Sequence, residues 1–237
     1  MPDIFAMTAR PAAEVFYRRH DPNDPRLGEI VRSDPESYAS ADLVIVGCPQ
    51  DEGVRRNGGR VGAADGPRSI REQFYKLTPF NFKKRVFDLG DVEMAGTLEE
   101  THDNLTEVIK QILSDNKRAI VIGGGNDISY ADGRAMAEIF GVGAWIGVNV
   151  DSHLDVRLAA QRNSGTPYRQ LLDEGHLRPD YFLRSAIKRI SARPFTTSIS
   201  APSALTASVL SCSALGRRPM SNLRRAFAIS SSATAHQ

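Results

Sequence analysis

The chain lacks most of the features that would settle its class at a glance. Only Cys48 and Cys212 are cysteine among 237 residues, and neither lies in a paired spacing. A structural disulfide is therefore not expected, and a reducing, cytoplasmic setting is. No run approaches the ~20 consecutive apolar residues that span a bilayer. The N-terminus, MPDIFAMTARPAAEVFYRRHDP, carries an acid at Asp3 and no apolar stretch of signal-peptide type, so neither secretion nor a membrane partner is expected. Aromatic residues are sparse, and Trp145 and Phe140 read as core.

The most telling absence is of acids. All 28 Asp and Glu fall at or before Asp180, so residues 1–184, with 23 of the 30 Lys and Arg, carry a net −5. The last 53 residues carry +7, with twelve serines and Gly216 as their one glycine. Two compositions have been joined. The basic segment has neither regular aromatic interleaving nor a helical apolar stripe, so no nucleic-acid partner is expected. Residues 185–237 read as an aberrant, disordered Ser/Ala/Arg-rich tail. Codons able to encode Arg184 to Ser200, read one base out of register, can yield an aromatic strand-and-helix string, which suggests a frameshift or truncation near Phe182.

The chain ahead of the tail has what a globular domain needs. Hydrophobic content is 41%, ample for one core, and apolar strands alternate with amphipathic helices as in a parallel α/β sheet. Strands are expected at 42–48, near RVFDLG, at RAIVIGGG and at AWIGVNVD. Helices are expected at 66–77, over LEETHDNLTEVIKQILSDN and around 130–140. Residues 1–40 read as an N-terminal extension and 41–184 as the domain.

Ligands in an open parallel sheet collect beyond the carboxyl ends of the strands. Three unusual loops stand there: CPQDEGVRRNGGRVGAADGP, GGGNDIS and DSHLDVR. If the chain stays extended past its strand, Asp151, His153 and Asp155 project to one side, and two carboxylates with an imidazole suit a borderline cation such as Mn²⁺. Taken alone, the D-x-H-x-D pattern leaves a second reading open, with Asp151 capping the next element and His153 a satisfied polar residue. Arg55, Arg56, Asn57 and Arg60 lie in the glycine-rich loop, and their guanidinium forks could pair with substrate carboxylates; a solvated loop is the alternative. Cys48 reads as a buried structural thiol.

These motifs resemble the ureohydrolase superfamily of arginases, agmatinases and formimidoylglutamases. NVDSHLDVR is similar to its D-A-H-x-D motif, and DEGVRRNGGRVGAADGP with SGTPYRQLLDEG resembles the formimidoylglutamase branch. The resemblance implies a three-layer αβα sandwich with a mostly parallel sheet, incomplete here at the C-terminus. It also implies two Mn²⁺ ions that activate a water to attack the C=N carbon of a linear amidine. Asp151 would then bridge the metals, while His153 and Asp155 bind one each, and these three are the candidate catalytic residues. Asn126 stands where the family's G-G-x-H has its histidine, with Asp127 beside it as a substitute. The alternative is that residues 123–127 form a strand-to-helix turn with Asp127 as an N-cap. The family's third motif, S-x-D-x-D, has no counterpart after Asp180. Ser164 occupies the position before G-x-P where arginases and agmatinases place a histidine. With Gly165, Thr166, Arg60 and Arg157 it would take an acidic amidine, N-formimidoyl-L-glutamate, to glutamate and formamide in histidine degradation, impaired in a chain that lacks the third motif. A noncatalytic ureohydrolase-like domain and an arginase- or agmatinase-type hydrolase are the alternatives, and a homo-oligomer is left open.

Overall fold

The computed structural model describes residues 3–184 and the backbone of 227–230. In chain order the elements are β1 (Thr8–Ala9), α1 (Leu27–Ile30), α2 (Pro35–Tyr38), β2 (Leu43–Cys48), α3 (Glu52–Arg56), α4 (Gly66–Phe74), β3 (Val86–Val92), α5 (Leu98–Ser114), β4 (Arg118–Gly123), α6 (Ser129–Phe140), β5 (Ile146–Asn149), α7 (Pro167–Asp173), β6 (Phe182–Arg184) and β7 (Phe227–Ser230).

β2 is central, parallel to β3 on one side and β4 on the other, while β1 closes the far edge antiparallel to β3. Alternation along β2 builds two faces. Val44, Val46 and Cys48 enter the core beneath α5 and α6, whereas Ile45 meets Tyr75 and Val86 on the opposite side. Helices thus cover both faces, giving the three layers expected from the sequence.

α5 explains its own boundaries. Thr97 and Glu100 cap its start reciprocally, the Glu100 N–H donating to Thr97 Oγ1 at 3.2 Å and the Thr97 N–H to Glu100 Oε2 at 3.0 Å. Leu98, Leu105, Val108, Ile109 and Ile112 are buried at helical spacing, each contributing about 1.5–3 kcal/mol. Gly133 lets α6 approach α7, since a Cβ there would strike Leu171 and the Trp145 ring.

β3 carries a bulge opposite Ile45 and Val46, passing through Gly90 at φ 98°. The bulge presents buried Asp88 to α4. Arg71 donates to both Asp88 oxygens, from Nε at 2.8 Å and Nη2 at 3.0 Å, and from Nη1 to Asp91 at 2.6 Å, while the Tyr75 hydroxyl also donates to Asp88.

Three features add detail to these expectations. β5, β6 and β7 form a separate parallel sheet in the order β6-β5-β7 rather than continuing the first, and Ile120 on β4 is 39% exposed. Residues 3–40 are packed onto the domain, with Ile4, Val15, Leu27 and Val31 in its core. Residues 227–230, within the segment expected to be disordered, pair with β5 as a strand; the rest of 185–237 lies outside the described residues.

Candidate metal and substrate site

The three loops do meet. The Gly124 and Gly125 N–H groups, at the end of β4, donate to the carbonyls of Cys48 and Gln50 at 3.0 and 2.9 Å. The third loop joins through the Ser164 N–H, which donates to the Gly53 carbonyl at 3.0 Å. Gly124 is needed here, because a Cβ would run into the Gln50 carbonyl.

Asp155 stands where the second and third loops touch. Asn126 Nδ2 donates to its Oδ2 at 2.8 Å and to the Ser164 carbonyl at 3.3 Å. Asn149 Nδ2 lies 3.5 Å from the same carboxylate oxygen. The Asn126 oxygen, the atom a metal would use, instead accepts from Ser129 Oγ at 3.2 Å. Burial raises the Asp155 carboxyl above the usual range and the charge of Asp151 adds to this, against the opposing Asn149, His153 and Asn126. A half-buried carboxylate under the charge of a second one forms an environment that a cation relieves.

The extended-chain expectation fails past Asn149. Residues 151–153 bend, and Asp155 adopts φ 51°, so period-two projection no longer holds. Asp151 Oδ1 accepts from the His153 N–H at 2.8 Å and from Ser152 Oγ at 3.2 Å, with His153 Nδ1 at 3.3 Å. The Asp151 side chain is 15% exposed and that of His153 68%. Among the described residues, no three His, Cys, Asp or Glu side chains converge tightly enough to hold a metal ion.

Asp127 is not brought to this cluster. It lies in a 3₁₀ turn over Asn126–Ile128 and caps neither that turn nor α6. Its buried carboxylate instead faces His102 Nε2 at 2.8 Å and accepts from Gln50 Nε2. Cys48 is fully buried, which pushes its thiol up and leaves it unreactive.

The substrate candidates form a connected chain. Arg157 Nη1 donates to Asn57 Oδ1 at 2.9 Å, and Asn57 Nδ2 donates to Ser164 Oγ at 3.0 Å. Gly165 accepts from the Arg157 N–H at 2.9 Å and lies against its side chain, which a Cβ would meet at 2.9 Å. Arg60 is exposed between Gly58 and Gly62, both at positive φ. Thr166 differs from expectation. It is buried, and its hydroxyl exchanges 3.0 Å bonds with the Asn163 backbone, so it shapes the loop. Arg55 and Arg56 are engaged by Glu52, and Arg56 also by Glu99 at 2.6 Å. Sequence reasoning missed Gln50, His102 and Asn149. The one available signal was His102, a polar residue on the apolar face of an amphipathic helix.

Comparisons agree with this architecture. A model of the arginase family matches residues 41–230. The chain is 38% identical over 156 residues to a formimidoylglutamase of Klebsiella pneumoniae, covering 63% of this chain and 48% of that protein. It therefore spans about half the length of such curated relatives. The crystal structure of Trypanosoma cruzi formiminoglutamase with Mn²⁺ superposes with a TM-score of 0.61 at 41% identity, covering 68% of this chain and 57% of that one. The formimidoylglutamase of Bacillus subtilis, at 22% identity and a TM-score of 0.63, shares the fold. A family match that begins two residues before the strand β2 and takes in all three loops leaves one conclusion: the chain belongs to the arginase family.

Proposed function

We propose that this domain is the N-terminal part of a manganese-dependent hydrolase of linear amidines, acting on N-formimidoyl-L-glutamate to give glutamate and formamide. The observation that carries the reading is the Arg157–Asn57–Ser164 chain beside Asp155. Asp151, His153 and Asp155 would hold Mn²⁺, with Asn126 the weakest candidate ligand; their oxygen and imidazole donors suit that ion. Bound Mn²⁺ supplies the lowered water pKa that hydrolysis near neutral pH requires.

The chain's own residues set the substrate. Arg157, held by Asn57, and Arg60 present cations to a dicarboxylate and repel a guanidinium substrate. Ser164 orients the polar amidine, since a hydroxyl does not serve as a general acid near neutral pH as imidazole does. The relatives named formimidoylglutamase support this choice. We place the reaction in the cytoplasm, on a small-molecule substrate, in a protein able to form homo-oligomers. Residues 41–184 would be the partial catalytic domain and 1–40 its N-terminal extension, and the composition shift at 185 supports a frameshift or truncation near Phe182.

The test is kcat/KM with Mn²⁺ for formimidoylglutamate, arginine and agmatine, in a protein whose reading frame continues past residue 184 to an S-x-D-x-D motif. Turnover of arginine or agmatine equal to that of formimidoylglutamate rejects the assignment. A second reading, a noncatalytic domain, draws on the absence of any acid after Asp180. Genomic sequence across codons 180–200 decides between the two, and clean support for the printed frame favours the second.

A further inference from the structure

We infer that Gln50, Asp127 and His102 form a buried positioning cluster that aims the Asn126 amide at Asp155. The inference rests on the proposed role of Asn126 and Asp155 at a metal site.

The cluster is buried and spans three elements. Gln50 is 3% exposed, Asp127 1% and His102 0%. His102 comes from α5, Gln50 from the loop after β2, and Asp127 from the loop after β4. Asp127 Oδ2 takes both contacts, from His102 Nε2 at 2.8 Å and from Gln50 Nε2. A carboxylate only accepts, so the shared proton is assigned to Nε2 of His102. A carboxylate withdrawn from water is costly unless donors hold it, and here the two donors come from two different elements.

The other face of the carboxylate is set by shape. Asp127 Oδ1 has no hydrogen-bond partner among the described residues. It lies against Gly53 and Gly125, and a Cβ at either glycine would collide with it. Both glycines serve the site directly. The Gly53 carbonyl receives the Ser164 N–H, and the Gly125 N–H donates to the Gln50 carbonyl. Asp127 thus fixes the peptide that follows Asn126, and the same anchor holds the loop to which Ser164 is tied. Asn126 is the one member of this backbone turn whose side chain reaches Asp155, at 2.8 Å. Groups behind a ligand orient it in this manner and typically tune metal affinity about 10- to 100-fold.

The experiment uses the 237-residue chain and two readouts. The first is the Asn126 side-chain amide resonance, identified by its loss in Asn126→Asp; the second is the Mn²⁺ dissociation constant from the spin-resonance signal of free Mn²⁺. His102→Leu removes one donor and Gln50→Leu the other. His102→Gln returns an amide N–H near the Nε2 position. Thr106→Val on the same helix removes a buried hydroxyl bonded to the His102 carbonyl and controls for simple destabilisation.

The expected result is that His102→Leu and Gln50→Leu shift the Asn126 amide and weaken Mn²⁺ about tenfold or more. His102→Gln and Thr106→Val should stay within about threefold of the parent. An Asn126 amide unmoved in both leucine variants overturns the inference, as does a Thr106→Val that perturbs it equally. Should His102→Leu fail to fold, Gln50→Leu decides. Absence of Mn²⁺ binding by the parent chain overturns the metal reading alone, and the amide then decides the positioning claim by itself.

Discussion

Asn126 and Asp155, 29 residues apart, are joined by an amide-to-carboxylate hydrogen bond of 2.8 Å, so the Asn126 side chain ties the loop after β4 to the loop after β5. The amide nitrogen points where a cation would serve better, and the oxygen is turned to Ser129. Replacing this donor by an imidazole tests the proposed metal role. Asn126→His should tighten Mn²⁺ binding about tenfold, because a neutral imidazole is the stronger ligand. A titration in which the variant binds no better than the parent refutes that role.

Asp151 and Ser164 should separate cleanly in kinetics. Asp151→Asn removes a charge required to hold Mn²⁺ and should abolish turnover in a frame-restored protein. Ser164→Ala loses the hydrogen bond from Asn57 and the proposed polar contact to the substrate, and should lower kcat/KM about tenfold or less. Equal losses in the two variants would contradict the division of roles.

The chain of 237 residues itself should hydrolyse formimidoylglutamate only marginally. Two cations held close together need bridging negative charge, and no acid follows Asp180. Calorimetry with Mn²⁺ should show fewer than two ions per chain. Two tightly bound ions with substantial turnover would defeat this expectation.

Arg71 is the stability prediction with the largest effect. Its side chain is 3% exposed and that of Asp88 0%, so Arg71→Leu strands a buried carboxylate and should cost about 3–5 kcal/mol. Adding Asp88→Asn should recover part of the loss. Urea unfolding of the single and double variants measures both, and a single variant within about 1 kcal/mol of the parent would show that the pair carries little.

Asp132 on α6 gives a pH dependence. Its Oδ1 has no hydrogen-bond partner among the described residues, and burial pushes its carboxyl up to about 7. The folded chain therefore keeps a proton that the unfolded chain releases near pH ~4. The stabilisation is complete below that value and is lost as pH rises through about 7. Asp132→Asn should flatten the decline and raise stability at pH 8 by on the order of a few kcal/mol. Thermal midpoints between pH 4 and 8 check this, and identical profiles for parent and variant would contradict it.

What the sequence reveals depends on how local the cause is. α5 was legible because its cap and apolar stripe lie within its own residues. Helix α4 ends at Phe74, three residues earlier than its pattern suggests. β1 was not legible, since two residues carry no periodicity and their pairing with β3 is a long-range choice. The loop carrying Asp151, His153 and Asp155 was placed correctly at the end of β5, but the positive φ of Asp155 and its contact with Asn126 are features that no spacing rule encodes. Asp127 was misread for a related reason: its partners His102 and Gln50 are 25 and 77 residues away.

The division of the strands into two sheets gives the cleft a seam. Gly53 and Asn126 follow strands of the first sheet, while Asp155 and Ser164 follow β5 of the second, and the bonds between them cross from one body of backbone to the other. A cation held by the proposed ligands would act as a rivet across that junction, and a local parting of the two sheets would release it. A chelator would therefore strip it at the rate of that breathing, long before either sheet melts.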